Sequence, residues 1–316
     1  MTTERTFRVM GSDAHLVVVG GPPGLIDDAR SRVELLERRW SRFLADSEVT
    51  KLNENAGHSL VVSADTVMLV ERSIEAWRVS AGAFDPTLLG AILRAGYDRS
   101  FDELAADAPT VSSPLGAGAD YITVSSNTVQ LPAGTGFDPG GIGKGLAADL
   151  VSSEIMAGGA EGVCVNLGGD VRVRGIGPEP GGVWTVAVDH PRSPTPVVLL
   201  GLNDGAVATS TTLRRAWRSG GELRHHLIDP QTGMPSTTDV GLSAVVCADA
   251  WMAEVLAKAV LLAGFDHPFD LIGGTGADAI AIGVDGAVKA TDGLAAFLGG
   301  TPIPSNIDVS SNDTRR

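Results

Sequence analysis

The sequence has little cysteine and no long uninterrupted apolar run. Its two cysteines, Cys164 and Cys247, are too few for a disulfide framework or a cysteine-based metal site. Gly, Pro or charged residues interrupt every apolar stretch before it reaches the roughly 20 residues of a membrane-spanning helix. The N-terminal residues also lack the apolar core of a signal peptide. We therefore expect a soluble, cytoplasmic protein that is not inserted in a membrane.

Positive charge is also scarce. The chain has 24 Lys and Arg against 38 Asp and Glu, which gives a formal net charge of −14. Proteins that bind nucleic acid depend on clustered Lys and Arg side chains that contact phosphates. We therefore expect no nucleic-acid partner.

Glycine and apolar residues, by contrast, are abundant. The 316 residues include 40 glycines without a three-residue period, which excludes a collagen-like chain. The hydrophobic content of 43% excludes wholesale disorder. We expect a single domain over residues 1–300, which could divide into two lobes. The polar, Pro- and Ser-containing segment 301–316 is expected to be a disordered tail.

The apolar spacing predicts a mixture of helices and strands. Helical spacing is found over 25–43, 63–80, 146–156 and 251–262. Strand-like segments lie at 7–19, 121–124, 128–131, 162–167, 183–188, 197–202, 241–247 and 279–284. Because these elements do not alternate regularly, the order favours an α+β fold, with mixed, largely antiparallel sheets packed against helices.

Two loops place a carboxylate beside proline. In segment 82–87, Pro86 fixes the backbone next to Asp85, although an Asp here is also typical of a local turn cap. Segment 137–145, FDPGGIGKG, precedes a predicted helix, where glycines let backbone N–H groups approach an anion. Lys144 adds positive charge, and Asp138 could bind a ribose, a ring N–H or a metal. A plain helix-entry loop explains this segment equally well, because it matches neither a P-loop nor GxGxxG.

Two further segments contain polar residues of the types used in catalysis. Segment 165–170, VNLGGD, lies at the end of a predicted strand and on its own is typical of a turn. Segment 225–233 begins with His225 and His226, whose side chains cannot face the same side of a strand. At most one of them therefore points into a site, where it could act as a base or a metal ligand. A structural or surface histidine is the alternative.

Taken together and in order, these segments resemble the FAD:protein FMN transferase family (ApbE-type flavin transferases) from about residue 10 to residue 264. The similar motifs are Met10-Gly-Ser, WSRF at 40–43 followed by DSE at 46–48, AFDPT at 83–87, DPGGIGKG at 138–145, VNLGGDVRVRG at 165–175 and HLIDPQTG at 226–233. Each motif is weak alone, and the ordered set carries the resemblance. The resemblance implies the family's two-lobed α+β architecture.

The resemblance also implies an activity. Members of this family hold FAD with Mg²⁺ across the pyrophosphate and transfer FMN to a Thr or Ser hydroxyl of an acceptor protein, with release of AMP. By position, His226 matches the base that deprotonates the acceptor, and Gly141 lies near the metal. The positions that match FAD contacts are Met10, Phe43, Ala83, Phe84, Asp85, Asp138, Lys144, His226 and Leu227. The expected acceptor is a transient partner with a flavinylation motif.

The sequence departs from the family at the metal site. The family places Asp and, four residues later, Thr on one face of a late helix, within reach of one ion. Counting back from Gly264 puts Glu254 and Lys258 at these positions. Glu254 keeps a carboxylate, but an ammonium cannot ligate a metal, so Lys258 could replace part of the metal's charge and Mg²⁺ is in doubt. An ordinary ion pair on a solvated helix face is the alternative.

Three functions remain open at this point. The first is an FMN transferase with a variant cation site, in which Lys258 and His226 act in catalysis and Gly141 and Glu254 lie near any metal. The second is an FAD-binding carrier or regulator without transfer activity. A hydrolase that splits FAD into FMN and AMP lies between them.

Overall fold

The computed structural model describes residues 1–103, 116–214, 216–219 and 222–307. The helices are α1 (Leu25–Trp40), α2 (Glu48–Glu54), α3 (Ala64–Val79), α4 (Leu89–Arg94), α5 (Gly143–Ala157) and α6 (Ala250–Ala263). The strands are β1 (Thr2–Val9), β2 (Ser12–Val19), β3 (Leu60–Val61), β4 (Thr123–Ser125), β5 (Thr128–Gln130), β6 (Gly162–Leu167), β7 (Asp170–Gly175), β8 (Trp184–Val188), β9 (Val198–Leu202), β10 (Gly205–Thr211), β11 (Ala216–Ser219), β12 (Glu222–His225), β13 (Ile228–Asp229), β14 (Met234–Pro235), β15 (Val240–Cys247), β16 (Asp278–Gly283) and β17 (Val288–Ala290).

A central antiparallel sheet organises the molecule. Its eight strands follow the order β1-β2-β6-β7-β10-β15-β16-β17, and each neighbouring pair is antiparallel. β15 is buried along seven of its eight residues, as expected of a strand covered on both faces. The α+β prediction with largely antiparallel sheets is confirmed.

The two faces of this sheet form separate apolar cores. One core packs side chains of α1, α5 and α6 against the sheet, with Leu36, Leu146 and Leu256 among them. The other core lies under the β8–β9 hairpin and includes Trp184 and Leu200. The sheet is therefore the middle layer, with the main helices on one side.

Most predicted elements are present, with small shifts of their ends. Ser63, the first residue of the predicted helical segment 63–80, is the N-cap of α3, because its side chain accepts a hydrogen bond from Thr66 N. Segment 7–19 is expected to be a strand or a strand pair with a bend at Gly11-Ser12, and the structure shows the pair, a hairpin of β1 and β2 that turns at Met10 and Gly11. α5 begins at Gly143, three residues before the predicted start. Residues 137–142, the glycine loop, therefore lead directly into that helix.

Helices α5 and α6 pack closely because of two small details. A Cβ at Gly145 would overlap the carbonyl oxygen of Ala250, so only glycine permits this approach. Asp149 on α5 accepts hydrogen bonds of 2.9 Å from Ala250 N and from Trp251 N at the start of α6. Burial of this carboxyl raises its pKa to about 6. The side chain of one helix thus caps the other and fixes its position.

Part of the predicted disordered tail is hydrogen-bonded to the fold. Ile307 N donates to Gly286 O, and Val288 N donates to Ser305 O. The expectation of disorder does not hold for this part, and residues 308–316 lie outside the described residues. No helix in the described part of the chain is long and apolar enough to cross a membrane.

Candidate active site

The structure contains a cavity of about 540 Å³. On one side it is bounded by the β1–β2 turn, the end of α1 and the loop after α3. The glycine loop with the start of α5, the segment before β13, and α6 complete its lining. The predicted site residues that line it are Met10, Phe43, Ala83, Phe84, Asp85, Asp138, Gly141, Lys144, His226, Leu227 and Lys258. Glu254 lies behind this wall and is 1% exposed. Segments up to 248 residues apart along the chain, from Met10 to Lys258, therefore meet in one place.

The glycine loop approaches the opposite wall too closely for a side chain. An ideal Cβ at Gly141 would lie 2.7 Å from the ring of Phe84 and 3.2 Å from Cε of Lys258. Asp138 shapes the loop, because its Oδ1 accepts a hydrogen bond of 2.8 Å from Gly140 N. The lack of a side chain at Gly141 thus keeps this part of the cavity open.

Asp85 is both a turn cap and a cavity residue. Its Oδ1 accepts hydrogen bonds from the backbone N and the hydroxyl of Thr87, at 2.8 and 2.6 Å. The same carboxylate lines the cavity. The two interpretations of this residue in the sequence are therefore compatible.

A cluster of four charged side chains forms one end of the cavity. Lys144 Nζ binds Asp170 and lies 2.7 Å from Oε1 of Glu254. Lys258 Nζ lies 3.3 Å from the same Oε1 and 3.2 Å from the carbonyl oxygen of Glu254. The other carboxylate oxygen, Oε2, accepts a hydrogen bond of 2.9 Å from Gly145 N. The alternative of a solvated ion pair is wrong, because Glu254 is buried.

Burial and mutual attraction shift the pKa values of this cluster in opposite directions. Burial opposes ionisation of Glu254, but Lys144 and Lys258 hold its pKa below the usual range. Burial, joined by repulsion from Glu254, raises the pKa of Asp170. Burial lowers the pKa of Lys258, with repulsion from Lys144 adding to the effect. Burial also opposes the charge of Lys144, yet its two carboxylate partners raise its pKa.

These residues do not fit the divalent ion that the resemblance implied. Both oxygens of Glu254 already accept hydrogen bonds from ammonium or backbone donors, and Asp170 is paired with Lys144. Lys258 stands where a second oxygen ligand would be needed, and an ammonium has no lone pair to offer. Among the described residues, no three His, Cys, Asp or Glu side chains lie together as a metal-binding group. The cations at this end of the cavity are the ammonium groups of Lys144 and Lys258.

An arginine–aromatic stack, which sequence analysis missed, forms another wall. The Arg42 guanidinium lies 4.1 Å from the ring centroid of Phe43 and 4.7 Å from that of Tyr97. Its Nε is 3.3 Å from Oδ2 of Asp138, and both side chains are at most one-tenth exposed. Phe43 itself is 40% exposed. Arg42 directly precedes Phe43 in the sequence and could have indicated a contact between the two. Tyr97 comes from a distant segment, so its part in the stack had no local signal.

The two adjacent histidines have different surroundings. His225 Nε2 lies 2.9 Å from Ser236 O, and its Nδ1 accepts a hydrogen bond of 3.3 Å from Leu227 N. Burial lowers the pKa of His225. His226 lines the cavity and His225 does not. His225 therefore holds the turn that presents His226.

Three acidic residues support the cavity without having been predicted to do so. Glu37 on α1 accepts a hydrogen bond of 2.6 Å from the backbone N of Met10. Met10 has a positive φ of 51°. Asp170 is the buried partner of Lys144, although its segment indicated only a turn. Asp149 positions α6, which carries Glu254 and Lys258. None belongs to a local pattern that reveals its distant partner.

Comparison with known proteins agrees with this architecture. A model of the ApbE family matches residues 10–281. An FAD:protein FMN transferase of Treponema pallidum is 30% identical over 272 residues, which cover 79% of this chain and 74% of that protein. One of Vibrio cholerae is 27% identical over 256 residues, covering 77% and 76%. The crystal structure of an ApbE protein from Thermotoga maritima has a TM-score of 0.83 at 25% identity and covers 94% of this chain and 99% of its own. The chain belongs to the ApbE family.

Proposed function

We propose that this protein is an FAD:protein FMN transferase that moves FMN from FAD to a Thr or Ser hydroxyl of an acceptor protein and releases AMP. The observation that carries the proposal is the cavity, because its lining brings together aromatic rings and cationic side chains. Phe43 and Phe84 supply aromatic surface, while Lys258 supplies an ammonium donor. A dinucleotide with flat rings and a pyrophosphate has this distribution of chemistry.

The proposed orientation follows from charge. The pyrophosphate lies beside the glycine loop and against Lys258, whose ammonium can bind its oxygens. A flat ring of the dinucleotide stacks on the wall formed by Phe43 and Arg42. Met10, Ala83 and Leu227 add apolar contacts, and the Asp85 and Asp138 carboxylates accept polar groups of the ligand. A net charge of −14 does not prevent this, because the positive field is local.

The reaction is a phosphoryl transfer in which positioning does most of the work. The acceptor hydroxyl oxygen attacks the phosphorus on the flavin side of the pyrophosphate. A new P–O bond forms, the bond between that phosphorus and the bridging oxygen breaks, and AMP leaves with the bridging oxygen. His226 accepts the hydroxyl proton as the general base. Lys258 offsets negative charge on the oxygens during the transfer.

The experiment that tests the proposal combines the protein, FAD and an acceptor that carries a D-G-x-T-G-A-[ST]-like segment. Mass spectrometry of the acceptor, with chromatography of the nucleotides, should show one added FMN for each AMP released. An acceptor whose target Thr is replaced by Val is the matched control and should gain nothing.

Other outcomes distinguish the alternatives. Release of FMN and AMP without a modified acceptor would make the protein a hydrolase. Bound FAD with no AMP released under any metal would make it a carrier or regulator.

A further inference from the structure

We propose that Lys258 supplies the positive charge that binds the FAD pyrophosphate, so that FAD binding by this protein does not require a divalent metal ion. This inference rests on the proposed function, because it assumes that the cavity accepts FAD. It goes beyond the proposed reaction in stating that Lys258 takes the place of a divalent ion when FAD binds.

The position of Lys258 supports this role. Its side chain comes from α6 and passes beside the glycine loop, since a Cβ at Gly141 would lie 3.2 Å from its Cε. Its side chain is 14% exposed and lines the cavity. The ammonium therefore lies beside the loop, at a part of the cavity surface that an anion in the cavity can reach.

The donors and acceptors of the cluster leave Lys258 able to bind an anion. An ammonium has three N–H donors. Among the described residues, the Lys258 ammonium donates hydrogen bonds only to Glu254, to its carbonyl oxygen and to its Oε1. Lys144, by comparison, is paired with two carboxylates, those of Asp170 and Glu254. Lys258 thus retains a donor, and Lys144 is balanced within the cluster.

The charges of the cluster also argue against a divalent ion bound at Glu254. Two ammonium groups and two carboxylates sum to zero, so a divalent ion would join a cluster that is already neutral. To use Glu254 as a ligand, the ion would first have to displace Lys258, Lys144 or Gly145 N from its oxygens. An anion needs no such displacement, because it approaches the ammonium groups of the cluster and not the oxygens of Glu254.

The test is a titration of the full-length protein with FAD, followed by flavin fluorescence, in buffer with EDTA and in buffer with MgCl₂. The wild type is expected to bind FAD with the same Kd in both buffers, within about twofold. Lys258→Met keeps the length of the side chain but removes its charge. It should weaken FAD binding by about tenfold or more in EDTA.

Riboflavin and a surface variant provide the controls. Riboflavin has no phosphate, so Lys258→Met should leave its affinity unchanged, whereas a damaged fold would weaken both ligands. Lys51→Met removes one positive charge from an exposed position on α2 and should bind FAD as the wild type does.

Each contrary result has its own meaning. Wild-type FAD binding that is strong only with MgCl₂, or equal FAD affinity for the wild type and Lys258→Met, would overturn the role of Lys258 and leave the proposed function standing. No FAD binding in either buffer would overturn the proposed function and this inference with it.

Discussion

Lys144 Nζ lies 2.7 Å from Oε1 of Glu254, and this ion pair joins the start of α5 to α6 at the end of the cavity. The glycine loop ends where α5 begins, so the same contact also fixes the loop relative to Lys258. The geometry of the site therefore depends on a buried charge cluster, in which each charge requires its partner.

Glu254→Gln is expected to destabilise the protein strongly. It would leave Lys144 and Lys258 buried with Asp170 as the remaining carboxylate, and the loss of one partner of a buried ion pair costs about 3–5 kcal/mol. Urea denaturation measures the change in the free energy of unfolding. Glu75→Gln, which removes an exposed pair with Arg72, is the control and should change it by no more than about 0.5 kcal/mol. Equal stability of the two variants would show that the cluster is not coupled as described.

Gly141→Ala should weaken FAD binding without unfolding the protein. The added methyl would come within 2.7 Å of the Phe84 ring, so the ring or the loop must move into the cavity. We expect a loss of affinity of about tenfold, measured by the same flavin titration. Gly273→Ala is the control, because a Cβ there approaches nothing closer than 4.0 Å. Unchanged FAD affinity in Gly141→Ala would place the ligand away from this loop.

His226→Ala should slow FMN transfer and leave FAD binding nearly intact. Loss of a general base reduces the rate by about 10²–10⁴-fold, whereas the phosphate contacts come from other residues. Measured rates of acceptor flavinylation should show this, with Kd for FAD determined in parallel. His225→Ala should instead lower the melting temperature, because His225 bonds to Ser236 and Leu227. A His226→Ala protein with normal transfer would exclude His226 as the base.

Asp149→Asn should change how stability depends on pH. The pKa of Asp149 is raised by burial to about 6 from 3.8. The folded protein therefore binds a proton here more tightly than the unfolded chain, and this contribution to stability is full below about pH 4 and is lost as pH rises through about 6. Relative to the Asn variant, the wild type should gain about 1–3 kcal/mol as pH falls across this window. A constant difference between the two in denaturation experiments would contradict the raised pKa.

Local patterns were sufficient to predict much of the fold. Ser63 marked the start of α3 because a capping side chain acts within its own turn. The apolar spacing at 251–262 located α6 to within one residue at each end. The end of α1 was placed too late, at residue 43 rather than Trp40, because the apolar character continues into the cavity wall.

The candidate site was predictable only where its residues fall in motifs. Asp138, Lys144 and His226 could be selected from short segments, and they do line one cavity. Asp170 also lies in one of these motifs, VNLGGD, but it was not selected, because no local pattern indicates its buried contact with Lys144. Tyr97 likewise belongs to the site because its ring packs against the Arg42 guanidinium. Such long-range pairs depend on the three-dimensional fold.

The most direct test of the proposed contact between Lys258 and the FAD pyrophosphate is a crystal structure of the protein with FAD bound. We expect a pyrophosphate oxygen within hydrogen-bonding distance of Lys258 Nζ, with a ring of the dinucleotide against Phe43 or Phe84. A dinucleotide bound outside this cavity, or one whose pyrophosphate faces away from Lys258, would contradict it.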